Sequence, residues 1–163
     1  MALAVALLSG CATASVATAP APEVVRFSLP DLDGKTVEPA DFAGRVVLVD
    51  IWATWCTPCE ASFPFYADLQ RELGDKGLTI VAISVDESVD DVRAFLEGRD
   101  LPFIILHDPA GAFPEKMNIQ KMPTAYLIGR DGDLISTHAG FVPADEDGIR
   151  AQVEAALAGA AAK

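Results

Sequence analysis

Four stretches of the chain are apolar almost without interruption: residues 46–51, 78–85, 103–106 and 124–128. Runs of this length, rich in Val, Ile and Leu, belong to strands covered on both faces. Residues 134–138 read as a fifth strand, and Gly129, Arg130, Asp131, Gly132 and Asp133 before them carry a hairpin signal. Elsewhere the period lengthens. Phe63, Tyr66, Leu69 and Leu73 recur at steps of three or four, with Asp68, Arg71, Glu72, Asp75 and Lys76 filling the other side of a helix. Pro64 lies one turn in and predicts a kink, and Gly74 and Gly77 end the helix. Ser88 caps a second helix with Asp91 in its first turn, Val92, Phe95 and Leu96 on one face, and Gly98 after it. A short helix with loop is expected over 111–120. A last helix from about 145 carries Ile149, Val153 and Leu157 at four-residue steps.

Ahead of the first long run, residues 26–29 and 35–37 flank Asp31, Leu32, Asp33 and Gly34, which predicts a hairpin. Asp41, Phe42, Ala43 and Gly44 then form a turn into the first central strand. Strand, helix and strand in succession predict a parallel, right-handed crossover. No internal repeat and no second domain are visible.

Two places break the apolar pattern. Asp50 interrupts the first run, where a buried carboxylate is costly and its pKa should rise; an end-of-strand aspartate touching water or a backbone donor is the alternative. Cys56 and Cys59 follow at the strand-to-helix junction, with Trp55 before them and Pro58 between them. Two thiols at this spacing can close a small-ring disulfide and reopen it, and a helix starting at the first favours its thiolate. The same spacing also serves as half of a zinc site. Pro123 leads the fourth run, a place where proline is tolerated in the ordinary trans form. His107 and His138 are the only histidines, and neither has metal-ligand spacing, so both read as strand-end residues.

Composition narrows the options. A chain of 163 residues suggests one domain with an adequate core. The net charge of −12 argues against nucleic acid or an anionic membrane surface as a partner of the folded body, and the acids read as a solvated surface. Three cysteines, two of them in the motif, exclude a disulfide scaffold. Residues 1–22 carry no charge, and the run over 2–8 is far too short to span a bilayer. It ends in Leu8, Ser9, Gly10 and Cys11, which resembles the bacterial lipobox and implies lipidation of Cys11. The basic residues of a signal peptide are missing, since no Lys or Arg precedes Arg26; a plain secretory signal or an incidental Cys is the alternative. The expected organisation is a signal segment over 1–11, an Ala/Thr/Pro tether over 12–24, and one domain over 25–163.

Asp50, Trp52 with Ala53, the Trp55, Cys56, Thr57, Pro58, Cys59 series, Pro64, and Met122, Pro123 and Thr124 together resemble the thioredoxin superfamily. Residues 81–109 and the hairpin over 27–35 resemble its TlpA/ResA-like branch, which shares its layout with peroxiredoxins. The resemblance covers about 25–160. It implies a thioredoxin-like α/β fold with a central mixed β-sheet flanked by helices and an N-terminal β-hairpin extension. It implies a thiol-disulfide oxidoreductase with a redox-active Cys56–Cys59 disulfide. Cys56 is then the exposed nucleophile, Cys59 the resolving thiol, and Asp50 the acid that takes the proton of Cys59. Trp55, Thr57 and Pro58 shape the turn and tune the thiols. Pro123 is cis, and with Met122 and Thr124 it forms the ledge on which substrate docks. Many relatives carry Asn in place of Asp50, and some carry Glu three residues after the second cysteine, where this chain has Ser62; Glu60 reads as surface.

The resemblance also implies no metal and no organic cofactor. It places the protein in the bacterial cell envelope on the periplasmic side, lipid-anchored or else soluble. There it reduces disulfide-containing proteins such as apocytochrome c, with electrons from a membrane donor of the DsbD/CcdA type. Two other readings stay open. A peroxiredoxin-like peroxidase wants Pro seven residues and Thr three residues before its cysteine, where this chain has Val49 and Ala53. A copper-binding module wants a wider cysteine spacing and a placed histidine.

Overall fold

A computed structural model describes residues 25–159. The expectations for Cys11 and for the tether over 12–24 lie outside the described residues. The hairpin pairs β1 (Leu29–Pro30) with β2 (Thr36–Val37). Its turn is held by the Asp31 carboxylate, which accepts from the backbone N–H of Asp33 and of Lys35, both at 2.9 Å. Gly34 there has φ 84°, a left-handed conformation that costs glycine least. A 3-10 turn over Pro39–Phe42 then leads into β3 (Val46–Trp52).

The main sheet has the order β5-β4-β3-β6-β7, built from β3, β4 (Leu78–Ser84), β5 (Ile104–His107), β6 (Thr124–Ile128) and β7 (Leu134–Ala139). Strands β3, β4 and β5 run parallel, and β6 and β7 are antiparallel. The parallel steps need crossovers, supplied by α1 (Thr57–Leu73) and α2 (Val89–Leu96). Helices α3 (Ala112–Lys116) and α4 (Glu146–Leu157) complete the fold. It is the mixed sheet with an added hairpin that the sequence predicted, with β5 displaced by one residue from 103–106.

Every residue of β3 is buried, so its two faces enter two cores. Val46 and Leu48 pack with Tyr66 and Leu69 of α1 and Ile149 and Val153 of α4. Val47, Val49 and Ile51 pack with Val37 of the hairpin, Phe42 and Phe113. A third cluster joins Trp52, Ala53, both motif cysteines, Phe63 and Val92 at one end of the sheet. Helix α1 is a single element through Pro64, and it buries Phe65 as well as the expected stripe. Phe65 sits off that stripe but reaches Phe141, their ring centroids 6.1 Å apart. The opposite end of the sheet is tied by Arg130, whose guanidinium donates to the carbonyls of Gly44 (2.8 Å), Lys76 (3.1 Å) and Leu157 (3.4 Å).

Leu48 is fully buried at the centre of the larger core. Leu48→Ala is expected to cost about 2–5 kcal/mol of stability. Urea unfolding should show a lower midpoint at an unchanged slope, and a loss under about 1 kcal/mol would mean that this core repacks freely.

Candidate active site

β3 ends at Trp52, whose carbonyl accepts the N–H of Val85 at 3.0 Å and so stays registered to the end of β4. The chain then turns. Ala53 O accepts Cys56 N–H at 3.0 Å, and Cys56, with φ −94° and ψ 93°, is the N-cap of α1. Pro58 sits in the first turn of α1, where its missing N–H costs nothing because that donor would be orphaned anyway. The carbonyl of Cys56 accepts from Cys59 N (3.0 Å) and Glu60 N (3.1 Å). The two cysteines are joined by a disulfide of 2.02 Å with Cα atoms 5.3 Å apart.

The two cysteines differ in access. Cys59 is fully enclosed, while Cys56 is 6% exposed. Cys56 is thus the more accessible of the pair but far less open than an exposed nucleophile, because Ala53, Trp52 and Phe63 gather in the same cluster. Trp55 beside it is 70% exposed, and Thr57 and Pro58 also face solvent. The Met122-Pro123 bond is cis. Met122, half-buried, packs on the cluster that holds both cysteines, which brings the proline loop to the same end of the sheet as the dithiol. Thr124 does not face outward: it is buried, and its hydroxyl donates to Lys121 O at 2.6 Å, bracing that loop from beneath. Pro123 O accepts Gly140 N–H at 2.6 Å.

Asp50 is completely buried, and neither carboxyl oxygen has a hydrogen-bond partner among the described residues. The contact with a backbone donor considered from the sequence is therefore not made. Its ladder neighbours on either side are Ala82 and Ala125, two small side chains that leave room for the carboxyl on the face shared with Leu48 and Trp52. Burial pushes its pKa well above the usual carboxylate range. The Tyr66 phenol is pushed up too, by burial first and then by Asp50 and Asp145. The indole N–H of Trp52 is likewise buried, with no partner among the described residues. Ser62, in the place where some relatives carry Glu, is buried and donates to Cys59 O at 2.8 Å. Glu60 is on the surface, paired with Arg99 at 2.8 Å.

One cluster beside the motif was not anticipated. Asp86, 4% exposed, accepts from Thr54 through both its N–H (3.0 and 3.2 Å) and its hydroxyl (2.7 Å), and from the hydroxyl of Ser84 (2.7 Å). His107 ends β5 buried, its Nε2 2.7 Å from Asp86 O; a carbonyl only accepts, so Nε2 carries the proton. The only sequence signal for Asp86 was an acid at a strand end, one of many. His138 contacts Ser136 and Gln152 instead. Among the described residues no group of three or more His, Cys, Asp or Glu side chains is placed to hold a metal.

The model of one protein family, Redoxin, matches residues 17–157, nearly the whole chain. The chain belongs to the Redoxin family. This redoxin is 35% identical over 118 residues to the thiol-disulfide oxidoreductase ResA of Bacillus thuringiensis subsp. konkukian (strain 97-27), covering 72% of this chain and 68% of the relative. It is 37% identical over 123 residues to the thioredoxin-like protein YneN of Bacillus subtilis (strain 168), covering 74% and 71%. Among solved structures it resembles a Chlorobium tepidum protein assigned as the thiol:disulfide interchange protein DsbE, with a TM-score of 0.78, 37% identity and 82% and 94% of the two chains covered. It also resembles the pneumococcal exposed lipoprotein thioredoxin of Streptococcus pneumoniae strain TIGR4, with a TM-score of 0.68, 29% identity and 80% and 98% covered. The redoxin is thus a TlpA/ResA-like member of the thioredoxin superfamily and a thiol-disulfide oxidoreductase of the ResA/DsbE type.

The raised pKa of Asp50 makes stability depend on pH with a definite sign. Between the unfolded carboxyl value, about 3.9, and the higher native value, the native state keeps a proton that the unfolded chain has released. This contribution is fully present below the unfolded value and is lost as pH rises through the native one. Asp50→Asn should remove it, so the variant should gain stability over the parent as pH rises from about 4 to 8. Denaturant titrations of both proteins at each pH check this, and a constant difference between them contradicts it.

Proposed function

We propose that this redoxin reduces protein disulfides, with Cys56 as the attacking thiol and Cys59 as the resolving thiol. The observation that carries the assignment is the unequal exposure of the two cysteines at the end of the sheet that also holds the Met122–Pro123 ledge. The Cys56 thiolate, favoured by the N-terminus of α1, attacks one sulfur of a substrate disulfide. That disulfide breaks, its leaving sulfur departs as thiolate and takes up a proton, and a mixed disulfide to Cys56 forms. Cys59 then loses its proton towards Asp50, the buried carboxyl of β3 whose oxygens have no hydrogen-bond partner among the described residues. The Cys59 thiolate attacks the Cys56 sulfur, and the second substrate sulfur leaves as thiolate. Two electrons have passed to the substrate, and Cys56 and Cys59 are again a disulfide.

In this reading Met122 and Pro123 dock the substrate backbone, Trp55, Thr57 and Pro58 contact its side chains, and Thr124 holds the ledge in place. The soft side chain of Met122 and the open face of Trp55 suit varied apolar partners. An external thiol donor must return two electrons to the dithiol. A membrane donor of the DsbD/CcdA type fits an extracytoplasmic site, and apocytochrome c is a candidate substrate. Support for that location comes from Leu8, Ser9, Gly10 and Cys11, and from the pneumococcal relative, an exposed lipoprotein by its own name. Among the described residues no helix is long and apolar enough to cross a membrane. In this reading lipid on Cys11 anchors the protein, ahead of the 12–24 tether and the domain over 25–163.

Cys56→Ser is expected to abolish disulfide reductase turnover, and Cys59→Ser to accumulate a covalent mixed disulfide visible by intact-mass analysis. Free turnover by Cys59→Ser would reverse the assigned order. Equilibration of the purified protein with dithiothreitol or glutathione reads its direction. A potential near about −270 mV supports a reductant, and one near about −120 mV makes it an oxidant.

A further inference from the structure

We propose that Asp86 is a positioning residue for the dithiol: it clamps Thr54, two residues ahead of Cys56, and thereby sets how strongly the two thiols favour closing their disulfide. The proposal rests on the reading of Cys56 and Cys59 as a reversible redox couple.

The residues between β3 and α1 have few ties of their own. Ala53 O and Cys56 N–H bond to each other, which leaves Thr54 and Trp55 at the tip of the turn. Trp55 projects into solvent. Thr54 gives both its donors to one carboxylate, that of Asp86, across 32 residues of sequence. The clamp is itself fixed from three sides. Ser84 donates its hydroxyl to the same carboxylate and accepts the Asp86 N–H at 3.1 Å. His107 donates to the Asp86 carbonyl. Val85, between Ser84 and Asp86, donates its N–H to Trp52 O. The ends of β3, β4 and β5 are thus tied into one rigid frame, and the tip of the dithiol turn is fastened to it.

A buried carboxylate is worth this cost only where its acceptors are filled, and here both oxygens are. The consequence for chemistry is one of effective concentration. Two thiols held at the separation the disulfide needs close far more readily than two thiols on a mobile loop. If the turn slackens, the dithiol loses part of that advantage, so the disulfide form becomes easier to reduce and the protein a weaker reductant. Resolution of the mixed disulfide slows for the same reason, because Cys59 must find a Cys56 sulfur that now wanders.

Three variants test the clamp in the full-length protein, each equilibrated against dithiothreitol and scored for the ratio of disulfide to dithiol. Asp86→Ala should lower the equilibrium constant for disulfide closure about tenfold, equivalent to a potential about 30 mV less negative. Asp86→Asn should stay within about twofold of the parent, since its amide oxygen still accepts both Thr54 donors while its amide N–H turns to Ser84. Thr54→Val removes only the hydroxyl bond and should move the constant in the same direction as Asp86→Ala by about threefold. Should Asp86→Ala fail to fold, Thr54→Val with Thr54→Ser as its control decides the matter. A folded Asp86→Ala with the parental constant overturns the proposal, as does an unchanged Thr54→Val where Asp86→Ala is unfolded. A shift in Asp86→Asn equal to that of Asp86→Ala overturns it too, since charge rather than the hydrogen-bonded clamp would then be responsible. A parent protein that does not equilibrate with dithiothreitol at all refutes the redox reading itself, an outcome distinct from all of these.

Discussion

The burial of β3 on both faces is the constraint from which the rest of the molecule follows. A strand with no wet side needs partners on each edge and cover above and below. Here β4 and β6 supply the edges. Helices α1 and α4 cover one face, and the hairpin, the 3-10 turn and α3 cover the other. Because β3 and β4 are parallel, the chain leaving β3 must return through a crossover, and that crossover begins with the motif cysteines. The dithiol therefore sits at the C-terminal end of the central parallel strand, where open α/β sheets collect their functional loops. The hydrophobic drive that makes the core and the geometry that places the sulfurs are one effect.

The site combines groups held at very different cost. The disulfide stays next to an apolar cluster with one sulfur closed to solvent. Asp50 is kept in the same strand, two residues short of its end, with no hydrogen-bond partner among the described residues. Ala82 and Ala125 flank it in the ladder, two small side chains beside a buried carboxyl. Asp86 is the contrasting case. It too is a buried acid, but its oxygens are filled by Thr54 and Ser84. An acid left unsatisfied suits proton transfer, and an acid fully satisfied suits holding a loop still.

Much of the fold was legible because it is written in local period. The apolar runs at 46–51 and 124–128 became β3 and β6, and the stripe from Phe63 to Leu73 became the buried side of α1. The capping role of Ser88 was readable too, since its hydroxyl accepts Asp91 N–H within one turn, at 3.3 Å. Residues off the regular stripe were missed. Phe65 is buried in the larger core, where Phe141, remote in sequence, comes to meet it. Ala156 is buried against the same core, and its small side chain left no trace in the periodicity of α4.

The sequence by itself determined the strand and helix order, the place of the dithiol at a strand-to-helix junction, and the presence of an acid inside a buried strand. Those features depend on neighbours within about two turns or one strand, and composition and spacing report them directly. Only the tertiary structure decided how deeply Cys56 is buried, that Thr124 braces the ledge rather than facing outward, and that Asp86 reaches Thr54. Each of these depends on which distant segments the sheet order brings together. A pairing between positions 54 and 86 leaves no periodic mark on either, because it exists only once β3 and β4 lie side by side.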